Sequence, residues 1–264
     1  MRQVEKFNVS SVEQQLSFNV WCRERNVQKI LFDGDDTLWK TVPIFRSQME
    51  KCYDLLAKTD IMPREDWKNK ITEINNALFE EHGVNPNRWD ILVGELAHSY
   101  PLTPKILSEA KNIFSTIYQT PPQFIEGTEA GLNFLKNIDT VELGVITHAG
   151  REWTWKKYQW LKLDRFLNWD DIFLVDENGH KTKESWQKGM EYHRVNPENC
   201  LVVGDSPRAD INPVCELGVE HCFLVQNRYE IWSLHQQAVD ENKTMSIESI
   251  NDLRYLGKEI VYRR

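Results

Sequence analysis

Positive charge is scarce in this chain. Lys and Arg number 32 against 40 Asp and Glu, giving a formal charge of −8, which excludes the clustered cationic face that duplex nucleic acid requires. Cysteine is sparse and unpatterned: Cys22, Cys52, Cys200, Cys215 and Cys222 form an odd set with no C-x-x-C pair and no zinc-like spacing, so neither a disulfide framework nor a zinc knuckle is expected. No Pro- or Gly-rich tract occurs, and no apolar window reaches the length of a membrane span. The start, MRQVEKFNVSSVEQQ, has no apolar signal stretch. Reduced thiols and no membrane contact make the cytoplasm the expected compartment.

What is present is the material of a globular enzyme-sized fold. Of 264 residues, 41% are hydrophobic and 27% charged, enough for one large core plus a smaller module. Ten tryptophans are read as packing residues rather than as a dedicated aromatic platform. Residues 10–26 read as an amphipathic helix opened by a Ser10/Glu13 capping box, with Val12, Leu16 and Val20 on its packing face. Lys29-Ile30-Leu31-Phe32 then forms a short apolar run that stops at Asp33-Gly34-Asp35-Asp36-Thr37, the pattern of a buried parallel strand ending in a polar loop.

Between about 41 and 125 the chain changes to long amphipathic stretches punctuated by Met62-Pro63, Asn85-Pro86, Tyr100-Pro101 and Pro121-Pro122. Helices are predicted over 44–58, 64–82, 88–99 and 104–119, the last capped by Thr103 before Pro104. After Gly127 helix and strand alternate: helices at 128–137, 151–161, 184–194 and 209–217, strands at 141–147, 171–175, 200–204 and 221–225. Ser246–Ile250 is read as a last short strand before a closing helix. This alternation predicts an α/β fold with a doubly wound, mostly parallel sheet and right-handed crossovers, interrupted by an all-helical insertion.

Four segments at the strand ends carry chemistry, because ligands of such sheets bind beyond the carboxyl edge. At Asp33-Gly34-Asp35-Asp36-Thr37 the acids pressed against a buried strand repel unless a cation or shared proton relieves them; a plain surface turn is the simpler alternative. Thr147 closes Val145-Ile146-Thr147 with a hydroxyl that can either cap a helix or donate to a phosphate oxygen. Lys181 and Lys183 lie just before a helix start near Glu184 and offer a cation for crowded carboxylates; Lys183, abutting the helix, is favoured over Lys181. Leu201-Val202-Val203-Gly204-Asp205 ends another strand in an acid, with Asp210 five residues on, either a second metal-site acid or an acid at a helix N-terminus. Trp39, next to the first segment, is a pocket wall or a core residue.

In order and spacing these four segments resemble the motifs of the haloacid dehalogenase-like (HAD) hydrolase superfamily, most of whose members are phosphatases. The resemblance spans roughly 28–40 and 125–225. It implies a Rossmann-like core (1–40 and 125–264) with a helical cap (41–124) between the first and second motifs. Asp33 would be the nucleophile that forms an aspartyl-phosphate and Asp35 the general acid/base; Thr147 and Lys183 (or Lys181) would hold the phosphoryl oxygens. Mg2+ would be bound by Asp33, Asp35 through its carbonyl, Asp205 and Asp210. The segment Glu177–Lys183 departs from the lysine-proline pattern frequent in relatives with this cap. The implied activity is magnesium-dependent hydrolysis of a phosphate monoester on a small metabolite, a phosphoprotein remaining open as substrate. A phosphotransferase or mutase, a metal-independent dehalogenase and a non-enzymatic binding module share the fold and remain alternatives.

Overall fold

The computed structural model describes residues 1–6, 10–226 and 237–257. An unforeseen short strand, β1 (Arg2–Gln3), precedes helix α1 (Ser11–Glu24). The capping box forms as expected, Ser10 accepting from the Glu13 N–H and the Glu13 carboxylate bonding back. The buried face of α1 is not the expected one. Val12 and Leu16 stay 62% and 60% exposed, while Phe18, Trp21 and Cys22 face the core. The rings at 18 and 21 remove more apolar area from water than Val12 and Leu16 would, and that difference sets the helix rotation.

The parallel sheet is built from β2 (Lys29–Phe32), β5 (Glu142–His148), β6 (Ile172–Val175), β7 (Cys200–Gly204), β8 (His221–Val225) and β9 (Thr244–Ile247). Strands β3 (Trp39–Lys40) and β4 (Gln123–Phe124) pair antiparallel as a two-residue ribbon outside it. Among the described residues the sheet order is β1-β9-β8-β7-β2-β5-β6, with each pairing parallel. The strand order reverses around β2, which lies between β5 and β7. Its carboxyl end therefore opens on the crevice such sheets use for ligands.

Helices α6 (Thr128–Leu135), α7 (Arg151–Trp160), α8 (Lys183–Tyr192) and α9 (Asn212–Leu217) flank the sheet. Two apolar clusters cover its faces, one including Phe18, Ile30, Phe32, Trp39, Val145 and Val203, the other Leu31, Ile146, Trp186, Val202 and Ile211. Ile30 and Leu31, adjacent in β2, enter opposite clusters because strand side chains alternate. Such burial is worth about 1.5–3 kcal/mol per large side chain.

The ribbon brackets helices α2 (Val42–Ala57), α3 (Arg64–His82), α4 (Arg88–Ser99) and α5 (Pro104–Ser115). They enclose a core of their own around Phe45, Leu56, Trp67, Trp89, Leu92 and Phe114, which Ala149 and Trp153 of the sheet module join. Thr103 caps α5 as expected. The helix ends earlier than residue 119: Ser115 and Thr116 hydroxyls both return to the Asn112 carbonyl, and a 3₁₀ turn follows at Thr116–Gln119.

The segment after β7 also differs from expectation. Instead of a helix from 209, Pro207–Ile211 forms a wide π turn in which the Asp210 and Ile211 N–H groups both reach the Ser206 carbonyl, and α9 begins only at Asn212. The chain beyond β9 forms a 3₁₀ turn, Ile250–Tyr255; any closing helix past Gly257 lies outside the described residues.

Candidate active site

The buried strand β2 delivers Asp33, 6% exposed, with its N–H donating to the Val203 carbonyl of β7 at 2.9 Å. The neighbouring strand β7 ends at Gly204, and the π turn folds Asp210 back over it. A Cβ on Gly204 would stand 2.3 Å from the Asp210 Cβ, so only glycine lets this acid approach. Asp210 is held there by the Ser206 N–H at 3.0 Å. Asp33, Asp205 and Asp210 each present a carboxylate oxygen, and these oxygens lie within 4.8 Å of one another.

A buried cation sits in this group. The Lys181 ammonium donates to Asp33 Oδ1 and to Asp210 Oδ1, both at 2.7 Å, with its side chain 2% exposed. The preference for Lys183 is thereby corrected. Lys183 opens α8, is 44% exposed and lies 4.0 Å from Glu216 on the outer surface. The helix start turns Lys183 to solvent, whereas Lys181, two residues earlier and ahead of the helix, enters the crevice. Burial pushes the Asp33 carboxyl up, and the Lys181 ammonium pulls it back.

Asp35 does not join the three acids with its side chain. Its Oδ1 takes the Lys157 ammonium at 2.5 Å and the Trp39 indole N–H. Oδ1 of Asp35 is thereby occupied by two donors. Lys157 was missed by sequence reasoning. It is fully buried on α7, lies 3.6 Å from the centre of the Trp153 ring, and burial lowers its pKa. The available signal was periodicity, since Trp153, Thr154, Lys157 and Tyr158 share the buried face of α7. Trp39 is wholly buried and belongs to the core while bonding Asp35.

The third acid of the first motif does structural work. Asp36, at φ +61° and buried, accepts from the Thr41 and Val42 N–H groups and the Thr41 hydroxyl, closing the N-terminus of α2. Burial pushes its carboxyl up to about 6.

Thr147, at the end of β5, is fully buried, and its hydroxyl has no hydrogen-bond partner among the described residues. A Cβ on Gly34 would meet that hydroxyl at 2.9 Å, which places it beside the loop leaving Asp33. The loop between α3 and α4 closes on the segment carrying Lys181. Val84 N–H donates to the Glu177 carbonyl at 3.0 Å, Asn85 donates to Asn178, and Glu80 pairs with Arg208 at 3.1 Å.

The crevice thus holds hard oxygen donors suited to a small dication, a carboxylate on a strand end, a second carboxylate bonded to a cation, and an unpaired hydroxyl. A sequence model of the haloacid dehalogenase-like hydrolases matches residues 30–223. The chain belongs to that family. A glyceraldehyde 3-phosphate phosphatase of Pyrococcus furiosus is 25% identical over 208 residues, 78% of this chain and 83% of the relative. Among solved structures, a haloacid dehalogenase-like family hydrolase from Xanthomonas campestris superposes with a TM-score of 0.71 over 100% of both chains at 15% identity. The HAD-hydrolase YfnB of Bacillus subtilis, solved with magnesium, gives 0.57 at 22% identity, covering 86% of this chain and 96% of that one.

Proposed function

We propose that this chain is a magnesium-dependent phosphatase that hydrolyses a phosphate monoester on a small metabolite through an aspartyl-phosphate on Asp33. The observation that carries this reading is the meeting of Asp33, Asp205, Asp210 and Lys181 at the carboxyl edge of the sheet, beside the unpartnered Thr147 hydroxyl. Relatives named as glyceraldehyde 3-phosphate phosphatases support the small-metabolite class.

In this reading an Asp33 carboxylate oxygen attacks phosphorus while the bond from phosphorus to the ester oxygen breaks, and Asp35 gives its proton to the departing alkoxide. Water then attacks the phosphoryl group, Asp35 takes the water proton, and release of inorganic phosphate restores the Asp33 carboxylate. Thr147 and Lys181 hold the phosphoryl oxygens. Mg2+ held by Asp33, Asp205, Asp210 and the Asp35 carbonyl would supply charge neutralisation. The helical segment 41–124 acts as the cap over the core formed by 1–40 and 125–264, excluding water during the first half-reaction. Five free cysteines accord with a reducing, cytoplasmic setting.

The test is a screen of phosphorylated metabolites with added Mg2+, run in parallel on wild type and Asp33→Asn. Phosphate release should depend on metal and vanish in the variant. Release that survives EDTA, or an Asp33→Asn enzyme as fast as wild type, would overturn the proposal.

A further inference from the structure

Above the phosphoryl site the cap buries a cation that the proposed reaction does not use. Arg88 opens α4 and is 3% exposed. Its Nη1 donates to the Gly83 carbonyl at 2.7 Å, but its Nε is buried without a partner. No carboxylate pairs with it among the described residues, and burial lowers its pKa. A buried guanidinium without an anion is costly, because desolvation is not repaid by a counter-charge. Stacking beside Trp89 at 4.9 Å and Phe79 at 5.6 Å offsets only part of that cost.

Two contact paths lead from Arg88 to the catalytic carboxylates. On one side the Phe79 ring meets His180 at 5.5 Å, and the next residue is Lys181, bonded to Asp33. On the other, Trp89 donates to the Tyr118 hydroxyl at 2.9 Å, Tyr118 stacks edge-on against Trp153 at 5.0 Å, and Trp153 borders the Lys157 that bonds Asp35. Further buried polar atoms with no partner among the described residues are the Trp153 indole N–H on the second path, and Thr147 Oγ1 and His148 Nε2 at the end of β5. Burial lowers the pKa of His148, the residue directly after Thr147, and the charge of Arg88 adds a smaller push in the same direction. Polar atoms left unpaired in this number around one crevice are expected where a ligand completes them.

We infer that Arg88 is the specificity residue for a second anionic group on the substrate, so that the preferred phosphate ester carries a carboxylate or another phosphate on its alcohol portion. His148 and Trp153 lie beside the same part of the ligand, while Thr147 takes the transferring phosphoryl group. The inference rests on the phosphatase reading above. It differs from a packing role for Arg88, which would need no anion and would make the residue worth keeping in any substrate's absence.

The experiment compares kcat/KM with Mg2+ across three sets of esters: glycerol 3-phosphate and glyceraldehyde 3-phosphate, with uncharged alcohol portions; phosphoglycolate and 3-phosphoglycerate, with carboxylates; and fructose 1,6-bisphosphate, with a second phosphate. Wild type should prefer one anionic set over the uncharged set by about tenfold to a hundredfold, the value of one or two hydrogen bonds to a charged group. In Arg88→Met that ratio should fall to near one, chiefly through KM, and Arg88→Lys should restore part of it. The Tm of ligand-free Arg88→Met should equal or exceed that of wild type, since an unpaired buried charge has been removed. The proposal is overturned by a wild type without anionic preference, by a ratio that Arg88→Met leaves unchanged, or by a variant whose Tm falls while its preference persists. The wild-type panel decides even if both variants misfold. Hydrolysis of uncharged esters that Asp33→Asn abolishes would leave the phosphatase reading standing while this inference fails; a wild type that hydrolyses no ester would remove the reading itself.

Discussion

Replacing Lys181 by Met, with Lys183→Met as its partner experiment, separates two lysines that lie only two positions apart. The Lys181 ammonium is 2.7 Å from both Asp33 Oδ1 and Asp210 Oδ1, and the three side chains are 2%, 9% and 2% exposed. Its loss leaves two buried carboxylates facing Asp205 with no cation, a change worth about 3–5 kcal/mol when one partner of a buried pair is removed. Lys183 is 44% exposed and 4.0 Å from Glu216, itself 66% exposed, so screening by solvent limits its worth to about 0.5 kcal/mol or less. Urea unfolding in EDTA should show that contrast directly. Adding Mg2+ should return a large share of the lost stability to Lys181→Met, because an ion bound by the same carboxylates supplies the missing charge. Turnover with saturating Mg2+ should fall about 10²- to 10³-fold in Lys181→Met, the usual loss of one electrostatic stabiliser of the transition state, and stay near wild type in Lys183→Met. The reasoning fails if Lys183→Met is the more damaging change, or if Lys181→Met unfolds at the wild-type urea concentration in EDTA.

Three further outcomes follow from the site. Lys157→Met should lower kcat by about a hundredfold with a smaller change in KM, since Asp35 loses the cation that orients it and keeps only the Trp39 indole; steady-state kinetics on any accepted ester checks this, and an unaltered kcat contradicts it. Gly204→Ala inserts a Cβ 2.3 Å from that of Asp210, so it should cost about 1–3 kcal/mol of stability and weaken Mg2+ binding, measured by calorimetry on the folded variant. Burial, reinforced by the positive charges of Lys181, His180 and Arg88, lowers the His148 ring from 6.5 to about 4. The unfolded chain then takes up this proton first, so the contribution of His148 to stability is complete above pH 6.5 and is lost as pH falls from 6.5 towards 4, in total about 3 kcal/mol. Wild type minus His148→Gln unfolding free energies across that window should show the slope, and a flat difference would refute it.

Much of this molecule is written locally. Strand β2 is legible because three apolar residues in a row stop abruptly at an acid, and the capping residues Ser10 and Thr103 announce their helices because each cap is a contact within a few residues. The same holds for the positions of Asp33, Thr147 and Asp205, which follow from where buried strands end. The convergence of Asp33, Asp205 and Asp210 is also implied by the strand alternation, since parallel strands share one carboxyl edge.

Other features required the tertiary structure. Whether Lys181 or Lys183 enters the crevice depends on the direction the chain takes before α8, and a lysine just ahead of a helix looks like one in its first turn in a one-dimensional pattern. The rotation of α1 was settled by Phe134, which meets Phe18 edge-on at 5.6 Å across more than a hundred residues. Lys157 and Arg88 become notable only when burial is known, because a lysine or arginine is ordinarily placed in water by default. Local sequence specifies which backbone conformations and strand ends occur, for these depend on neighbours within a few residues; which charged side chains lose their water is decided by what the rest of the chain packs on top of them.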